Sequence, residues 1–162
     1  MAINATAKST TADSWLTLAE ADSYHAGRLF NSEWTLATDE QKEIALKWSS
    51  KLLNLLSWKG YPTDSDQAQS QPRIDLKDRD GYAINKDVVY QDMKDACAEY
   101  AWVLLKSDTT KESDTTGISR IKVAVIELDI NSIEKKKKIP TNVMDYIKPW
   151  VLNYSTSSVG KG

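Results

Sequence analysis

Apolar residues follow a helical spacing in four parts of the chain, and polar stretches separate these parts. Steps of three and four between apolar positions mark the buried face of a helix. On this spacing we predict helices from about Leu18 to Leu29, from Thr38 to Ser57 and from Asp87 to Lys106. A last short helix is predicted to begin at Pro140-Thr141.

Two capping boxes support the first two helix starts. Thr17 is followed three positions later by Glu20, and Thr38 is followed by Gln41. In a capping box the threonine oxygen accepts a free backbone N–H, and the side chain three positions later caps the threonine's own N–H. The sequence therefore places a helix directly after each threonine.

The spacing also predicts which residues each helix buries. The connection 31–38 holds Trp34, which we expect to lie under the first two helices. The first helix is expected to bury Leu18, Ala21, Tyr24 or His25, and Leu29. The second is expected to bury Ile44, Ala45, Trp48, Leu52, Leu55 and Leu56. The third is expected to bury Val89, Met93, Ala96, Cys97, Tyr100 and Leu104.

Two segments favour β-structure. Arg73–Asn85 has a tight-turn pair, Asp80-Gly81, between apolar positions, which is typical of a small hairpin. Gly117–Ile130 alternates apolar and polar residues and then changes phase by one residue, which predicts one strand that has a bulge or is buried on both faces in turn. The fold class is therefore mainly α: a small helical bundle with a β-hairpin and one further strand.

The chain's 162 residues suit one domain. Residues 1–15 are small and polar and are expected to form a flexible N-terminal arm, followed by a helical domain over 16–152. Residues 153–162 are rich in serine and are expected to form a flexible C-terminal tail.

Composition limits the function classes. Hydrophobic residues make up 41% and charged residues 27%, an ordinary globular balance. Lys plus Arg number 21 and Asp plus Glu 23, so the net charge of −2 argues against a general nucleic-acid binder, which usually has a basic excess. No apolar run approaches the roughly 20 residues needed to span a bilayer, and the N-terminus lacks the apolar stretch of a signal peptide. We expect no membrane contact.

Candidate catalytic and metal residues are few. The single histidine, His25, and the single cysteine, Cys97, lie in no nucleophile motif. One His and one Cys cannot build a closed zinc site within one chain. The run Leu76–Asp87 has carboxylates at calcium-loop offsets but lacks the first ligand and the final glutamate. We therefore expect no enzyme activity, no metal and no cofactor.

Two features remain open from the residues alone. Lys135–Lys138 could contact phosphates or an acidic partner, or could be a solvated turn. Most of the six tryptophans are expected to lie in the core, because they fall on or near apolar stripes. Trp15, Trp34 and Trp150 remain candidates for interface anchors, since tryptophan is enriched at protein contacts.

The stretch Ala45–Arg73 carries a family resemblance. A long helix ends in Trp58-Lys59-Gly60, and a Thr-Asp pair, a glutamine and Pro72-Arg73 follow. This order resembles the head–tail connector (adaptor) proteins of tailed double-stranded DNA phages, over most of Leu16–Leu152. Sequences of this group are also labelled DnaT-like single-stranded-DNA-binding proteins.

The resemblance implies a structural protein of the virion neck, made in the host cytoplasm. Connectors form a ring, typically of twelve copies, under the portal; the ring extends the DNA channel and docks the tail. The implied partners are the portal protein, a tail or tail-completion protein, other copies of the chain, and DNA passing without sequence specificity. The implied portal anchors are Tyr146, Trp150, Val151 and Tyr154. Possible DNA or portal contacts are Lys135, Lys136, Lys137 and Lys138.

Two alternatives stay open. The label of the group implies a single-stranded-DNA-binding replication accessory protein. A neighbouring tail-completion protein of similar size is the other.

Overall fold

The computed structural model describes residues 2–110, 120–123, 126–129 and 139–152. It confirms a mainly helical fold with small antiparallel β elements. The helices are α1 (Leu18–Ala26), α2 (Ser32–Leu36), α3 (Asp39–Asn54), α4 (Gln91–Lys106) and α5 (Thr141–Ile147), followed by a 3-10 turn, Lys148–Trp150. The strands are β1 (Tyr61–Pro62), β2 (Arg73–Ile74), β3 (Arg120–Val123) and β4 (Ile126–Asp129).

Both predicted capping boxes are present. The Thr17 hydroxyl accepts the N–H of Glu20 at 3.2 Å, and the Glu20 carboxylate accepts the N–H of Thr17 at 2.7 Å. Thr38 and Gln41 make the same reciprocal pair at 3.3 and 2.9 Å. Each box satisfies donors that a helix start leaves without an intrahelical partner.

The core lies between α3 and α4. Cys97 on α4 is buried, and its sulfur lies 2.9 Å from the Ser49 hydroxyl and 3.1 Å from the Ser50 hydroxyl of α3. Small side chains where α3 and α4 pack together let the two helices approach closely. The predicted buried stripe of α4 is confirmed from Val89 to Tyr100, although the helix begins at Gln91 rather than Asp87.

The predicted buried face of α3 is wrong at three positions. The exposed fractions are 60% for Ile44, 41% for Trp48 and 77% for Leu55. The face that α3 buries is rotated toward its serine pair: Ala45, Leu46, Ser49, Ser50 and Leu53. Hydrophobic periodicity misses this face because two of its members are serines, whose hydroxyls have hydrogen-bond partners inside the core.

The end of α1 also differs from the prediction. The helix stops at Ala26, and Gly27 caps it, so Leu29 lies outside the helix and is 80% exposed instead of buried. The connection that follows contains α2, which places Trp34 in the core as predicted. The Trp34 ring stacks on His25 with centroids 4.2 Å apart.

The segment expected to be a flexible arm lies against the domain over residues 2–15. The Asp13 carboxylate accepts the N–H of Asn4 at 2.8 Å, and Lys8 reaches Asp87 at 2.8 Å. Trp15 is 1% exposed and donates its indole N–H to Asn54 at 3.2 Å. The polar side chains of this segment thus close a compact turn, which composition alone does not reveal.

The segment that connects α3 to α4, which we call the crossing, contains the predicted turn. The Asp78 carboxylate accepts the backbone N–H groups of Asp80 and Tyr82, and a bridge joins Lys77 to Ala83. Earlier in the crossing, β1 pairs antiparallel with β2, which the sequence did not predict. Gly60 precedes β1 and adopts a φ of +65°.

Within the stretch predicted as one strand, the described residues form two antiparallel strands. β3 and β4 pair antiparallel with Ile121 opposite Leu128 and Val123 opposite Ile126. The change of phase in the apolar pattern therefore falls between two paired strands and marks neither a bulge nor a single strand buried on both faces in turn.

The last described segment closes the fold onto the end of α3. Trp58 bridges Val151, the N–H of Lys59 donates to the Trp150 carbonyl at 2.8 Å, and the N–H of Leu152 donates to the Ser57 carbonyl at 2.7 Å. Residues 57–59 and 150–152 therefore hold each other in place.

A buried carboxylate joins three helices. Glu99 on α4 accepts hydrogen bonds from Arg28 Nε at 2.5 Å and Nη2 at 3.2 Å, from the Tyr24 hydroxyl at 2.9 Å and from Asn142 Nδ2 at 3.2 Å. Tyr146 on α5 bonds the same Tyr24 hydroxyl at 2.9 Å. Glu99 raises the pKa of Arg28 through its hydrogen bonds. The network fixes α1 and α5 against α4.

Gly60 is predicted to be indispensable for stability. A Cβ there would clash with the carbonyl oxygen of Ile74, and the positive φ disfavours any L side chain. We expect Gly60→Ala to lower the free energy of unfolding by about 2–4 kcal/mol in urea titrations. The matched control is Gly27→Ala, because Gly27 has a φ of −87° and space for a methyl group. A control as destabilised as Gly60→Ala would contradict the explanation.

Stability is predicted to fall in mild acid through His25. Burial lowers the pKa of His25 from its ordinary 6.5 to about 4. Between these values the unfolded chain takes up a proton and the folded chain does not, so the free energy of unfolding decreases as the pH falls through this window. Urea titrations from about pH 7 to pH 5 measure the slope. The variant His25→Gln keeps a donor for the Ala98 carbonyl and should flatten it; an equally steep slope in the variant would count against His25.

Candidate nucleic-acid interface

The crossing segment, residues 59–86, forms two adjoining clefts on either side of Asp75–Lys77. The first has a volume of 590 Å³ and is bounded by Lys59, Arg79 and the 3-10 turn. The second has a volume of 560 Å³ and extends to Ala83, Ile84 and Lys86. We call the two together the crossing cleft.

Backbone contacts of Arg73 hold the crossing in shape. Its guanidinium donates to the carbonyls of Lys59 at 2.8 Å, Gly60 at 2.6 Å and Ser70 at 3.2 Å. Three carbonyls on one planar cation fix both ends of the β1–β2 ladder. This arginine is therefore a scaffold of the cleft rather than a free ligand.

The first cleft is built on the 3-10 turn. Lys59 donates to the Pro149 carbonyl at 2.7 Å, and the Trp150 indole donates to the Lys77 carbonyl at 2.6 Å. Arg79 pairs with Asp92 at 3.3 Å and donates to the Tyr146 carbonyl at 2.7 Å. These contacts fix the side chains of Lys59 and Arg79 and the backbone of Lys77 beside the 3-10 turn.

The side chains of two lysines of the cleft make neither a salt bridge nor a hydrogen bond within the described part of the chain. Lys77 separates the two clefts, and Lys86 lies at the far end of the second; both are exposed. A lysine of this kind can meet a phosphate without first giving up an ion pair. These two residues are the most available cations of the cleft.

The acidic residues of the cleft are partly occupied. The carboxylate of Asp78 accepts hydrogen bonds from the backbone of the turn, as described above. Asp75 is exposed and adopts a φ of +61°. Four cations, Lys59, Lys77, Arg79 and Lys86, line the cleft with Asp75 and Asp78, and Arg79 is paired with Asp92. Four positive charges against three negative ones leave an excess of one positive charge in the cleft, although the whole chain is slightly negative.

Two exposed tyrosines neighbour residues that line the cleft, although neither tyrosine is itself a lining residue. Tyr61 pairs with Ile74 and is 67% exposed, and Tyr82 precedes Ala83 and is 74% exposed. Exposed aromatic rings beside cations are the elements on which single-stranded nucleic acids stack their bases. The cleft thus combines phosphate partners with stacking surfaces.

The residues expected to anchor a portal have internal contacts. Trp150 is 2% and Val151 6% exposed, and the Tyr146 hydroxyl bonds Tyr24. Tyr154 and the lysine run Lys135–Lys138 lie outside the described residues. The portal contact of these residues therefore stays a prediction, and three of them also stabilise the fold.

The chain's histidine and cysteine occupy the core. His25 is stacked on Trp34, and its Nε2 lies 3.2 Å from the Ala98 carbonyl. Burial raises the pKa of the Cys97 thiol to about 11, so it remains protonated at neutral pH. Among the described residues, no group of His, Cys, Asp and Glu side chains could hold a metal ion. Within the same ranges, no helix is long and apolar enough to cross a membrane.

The cleft's cations were not predicted as a site from the sequence. They come from positions spread over 59–86, among as many acidic residues, and only the turn and the β1–β2 pairing bring them together. The signal that could have indicated them is a cation followed two or three positions later by a tyrosine, as in Lys59–Tyr61 and Arg79–Tyr82.

One comparison with known proteins gives a match. A family model described as "Putative DnaT-like ssDNA binding protein" matches residues 1–161. No curated protein and no solved structure is significantly similar to the chain.

Proposed function

The chain belongs to the DnaT-like ssDNA binding protein family, and from this premise we propose that it is a non-catalytic protein that binds single-stranded DNA in the crossing cleft. The observation that carries the proposal is that four cations line the crossing cleft and that two exposed tyrosines neighbour its lining residues. The family match covers this segment together with the rest of the chain.

The charge distribution supports binding along a phosphate backbone. Lys77 and Lys86 offer point charges, while Lys59 and Arg79 are held by backbone carbonyls at the side of the 3-10 turn. Contacts to phosphates carry no sequence information, because every nucleotide presents the same group. Binding without sequence preference follows.

The tyrosines support single strands over duplexes. A base can stack on Tyr61 or Tyr82 only when its face is free, and in a duplex the faces are covered by neighbouring bases. Since every base has a π-face, stacking also tolerates any sequence. The role of such a protein is to bind single-stranded DNA that other proteins have unwound or are moving.

The affinity for single-stranded DNA is predicted to depend on salt through Lys77 and Lys86. Each phosphate contact contributes a slope of about −0.7 to the logarithm of the binding constant against the logarithm of the salt concentration. The double variant Lys77→Ala/Lys86→Ala should therefore flatten the slope by about 1.4. Fluorescence anisotropy with a labelled oligo-thymidine at several salt concentrations measures it.

The matched control removes the same charge elsewhere. Lys51 and Lys106 are exposed on α3 and α4, outside the cleft. The variant Lys51→Ala/Lys106→Ala should keep the slope of the unmodified chain. Equal flattening in both double variants would attribute binding to net charge alone, and absence of binding in the unmodified chain would remove the proposal.

A second candidate function is the head–tail connector, and the exposed apolar surface favours it. Leu29, Phe30, Leu36 and Ile44 are each at least 60% exposed. Apolar residues exposed close together in the chain, as these are over residues 29–44, are typical of a surface that another protein covers. We propose on this ground a ring under the portal in the virion neck, assembled in the host cytoplasm, with DNA passing through it without sequence specificity.

The connector role predicts a ring of added density under the portal. Electron microscopy of the chain mixed with the portal protein of the same phage tests it. Because Trp150 and Val151 lie in the core, the anchor prediction is tested with a chain that ends at Leu152, which keeps both and removes Tyr154. Bare portals beside a folded chain would contradict the connector role; normal rings with the shortened chain would exclude Tyr154 as an anchor.

A further inference from the structure

We propose that single-stranded DNA bound in the crossing cleft continues onto a turn of the N-terminal segment, where one of its phosphates takes Lys8 from Asp87. The inference rests on the proposed DNA function and adds to it a binding residue and a carboxylate that competes with DNA. We call residues 6–9 the N-terminal turn.

The N-terminal turn is fixed beside the crossing. The N–H of Ser9 donates to the Thr6 carbonyl at 3.2 Å and closes the turn. The Ser9 carbonyl in turn accepts the N–H of Ala68, in the crossing, at 3.0 Å. Close by, Gln69 Nε2 donates to the Ala12 carbonyl at 2.7 Å. The turn is thus attached to the segment that forms the cleft, which reduces the entropy that binding must remove.

Lys8 has a left-handed backbone conformation in this turn. Its φ is +64°, a region that glycine and asparagine tolerate and that a lysine disfavours. Glycine would adopt the same φ without a steric cost, so the shape of the turn does not explain a lysine at this position. Backbone strain of this kind is concentrated at binding sites, where the side chain is needed for a contact.

Lys8 and Lys86 are close to the same carboxylate. Lys8 Nζ lies 2.8 Å from Asp87 Oδ1, and Lys86, at the far end of the second cleft, directly precedes Asp87 in the chain. The hydrogen bond from Lys8, together with the charges of both lysines, lowers the pKa of Asp87. The Thr63 hydroxyl donates to the Lys86 carbonyl at 2.7 Å and fixes the backbone there. A strand that leaves the cleft past Lys86 therefore reaches Lys8 next.

The ion pair between Lys8 and Asp87 can be exchanged. The two side chains are 38% and 53% exposed, and an ion pair in contact with water contributes little to stability. A phosphate oxygen accepts the same charge-assisted hydrogen bond as the carboxylate does. A strand already held in the cleft also presents its next phosphate at a high effective concentration. DNA can therefore displace Asp87 from Lys8 at little cost to the fold.

The surroundings of Lys8 also suit a phosphate backbone. Lys8 is the single charged residue among residues 2–12, so the turn adds a cation to the path without adding a carboxylate. Thr6 and Thr10 are exposed on either side of it in the chain. Threonine hydroxyls donate to phosphate oxygens in protein–DNA contacts and read no base.

The alternative is that the ion pair only holds the N-terminal segment on the domain. The segment has other attachments, since Lys47 reaches Asp13 at 2.8 Å and Trp15 is buried. The two explanations make opposite predictions for Asp87, because only competition with DNA makes its removal favourable for binding.

The first test is the variant Lys8→Gly, which removes the charge and relieves the strained backbone. Fluorescence anisotropy with the labelled oligo-thymidine should show an affinity at least about threefold lower and a salt slope flatter by about 0.7. Urea titrations should show a chain no less stable than the wild type, because glycine adopts this φ freely. Lys8→Arg keeps the charge and should keep the slope.

The matched control removes another paired lysine. Lys94 pairs with Glu20 at 2.5 Å and does not line the cleft. Lys94→Ala changes the net charge as Lys8→Gly does and should leave both the affinity and the slope unchanged.

Asp87→Asn gives the decisive readout, because it breaks the same ion pair and leaves the lysine in place. This variant should bind DNA more tightly, by up to about fivefold, since an exposed ion pair is weak. The gain should be smaller in the double variant Lys8→Gly/Asp87→Asn, because the lysine that is released is then absent. An ion pair that only holds the N-terminal segment would instead give weaker binding in both single variants.

An unchanged affinity and slope in Lys8→Gly, or weaker binding by Asp87→Asn, would overturn the inference. If Lys77→Ala/Lys86→Ala still flattens the slope in that case, the DNA function stands and only the extension onto the N-terminal turn fails. Absence of DNA binding by the unmodified chain would remove both.

Discussion

The fold depends on the hydrogen bonds of one buried carboxylate, Glu99. A buried charge destabilises a protein unless donors surround it, and here Arg28, Tyr24 and Asn142 supply them from three segments. The carboxylate therefore sets where α1 and α5 sit on α4. Through Arg28 the same charge also fixes the carbonyls of the loop after α1, so core electrostatics and surface shape share one residue.

The sequence predicted those elements whose signals are local. The capping boxes at Thr17 and Thr38 identified two helix starts, and the apolar spacing identified the buried stripe of α4. It misplaced the buried face of α3, because Ser49 and Ser50 are polar in the sequence and satisfied in the structure. A hydroxyl whose hydrogen-bond partner lies on another helix leaves no signal in the apolar spacing of its own helix.

The candidate sites were harder to predict than the fold. Lys59 and Lys86 reach one cleft because β1 pairs with β2 and a turn reverses the chain between them. Leu29 was expected in the core because the predicted first helix continued past Gly27. Ile44, Trp48 and Leu55 were expected in the core because they are apolar and have helical spacing. Where apolar residues with the spacing of a buried face are exposed instead, the mismatch indicates a surface that another molecule contacts.

The pairing of residues 57–59 with 150–152 has a consequence for synthesis of the protein on the ribosome. Residues near the end of α3 leave the exit tunnel long before their partners have been translated. Until then Trp58 lacks the strand that covers it, and the recess for Trp150 beside Lys77 stays open. Helix pairing between α3 and α4 can begin on the nascent chain, but the native core closes only after residue 152 has emerged.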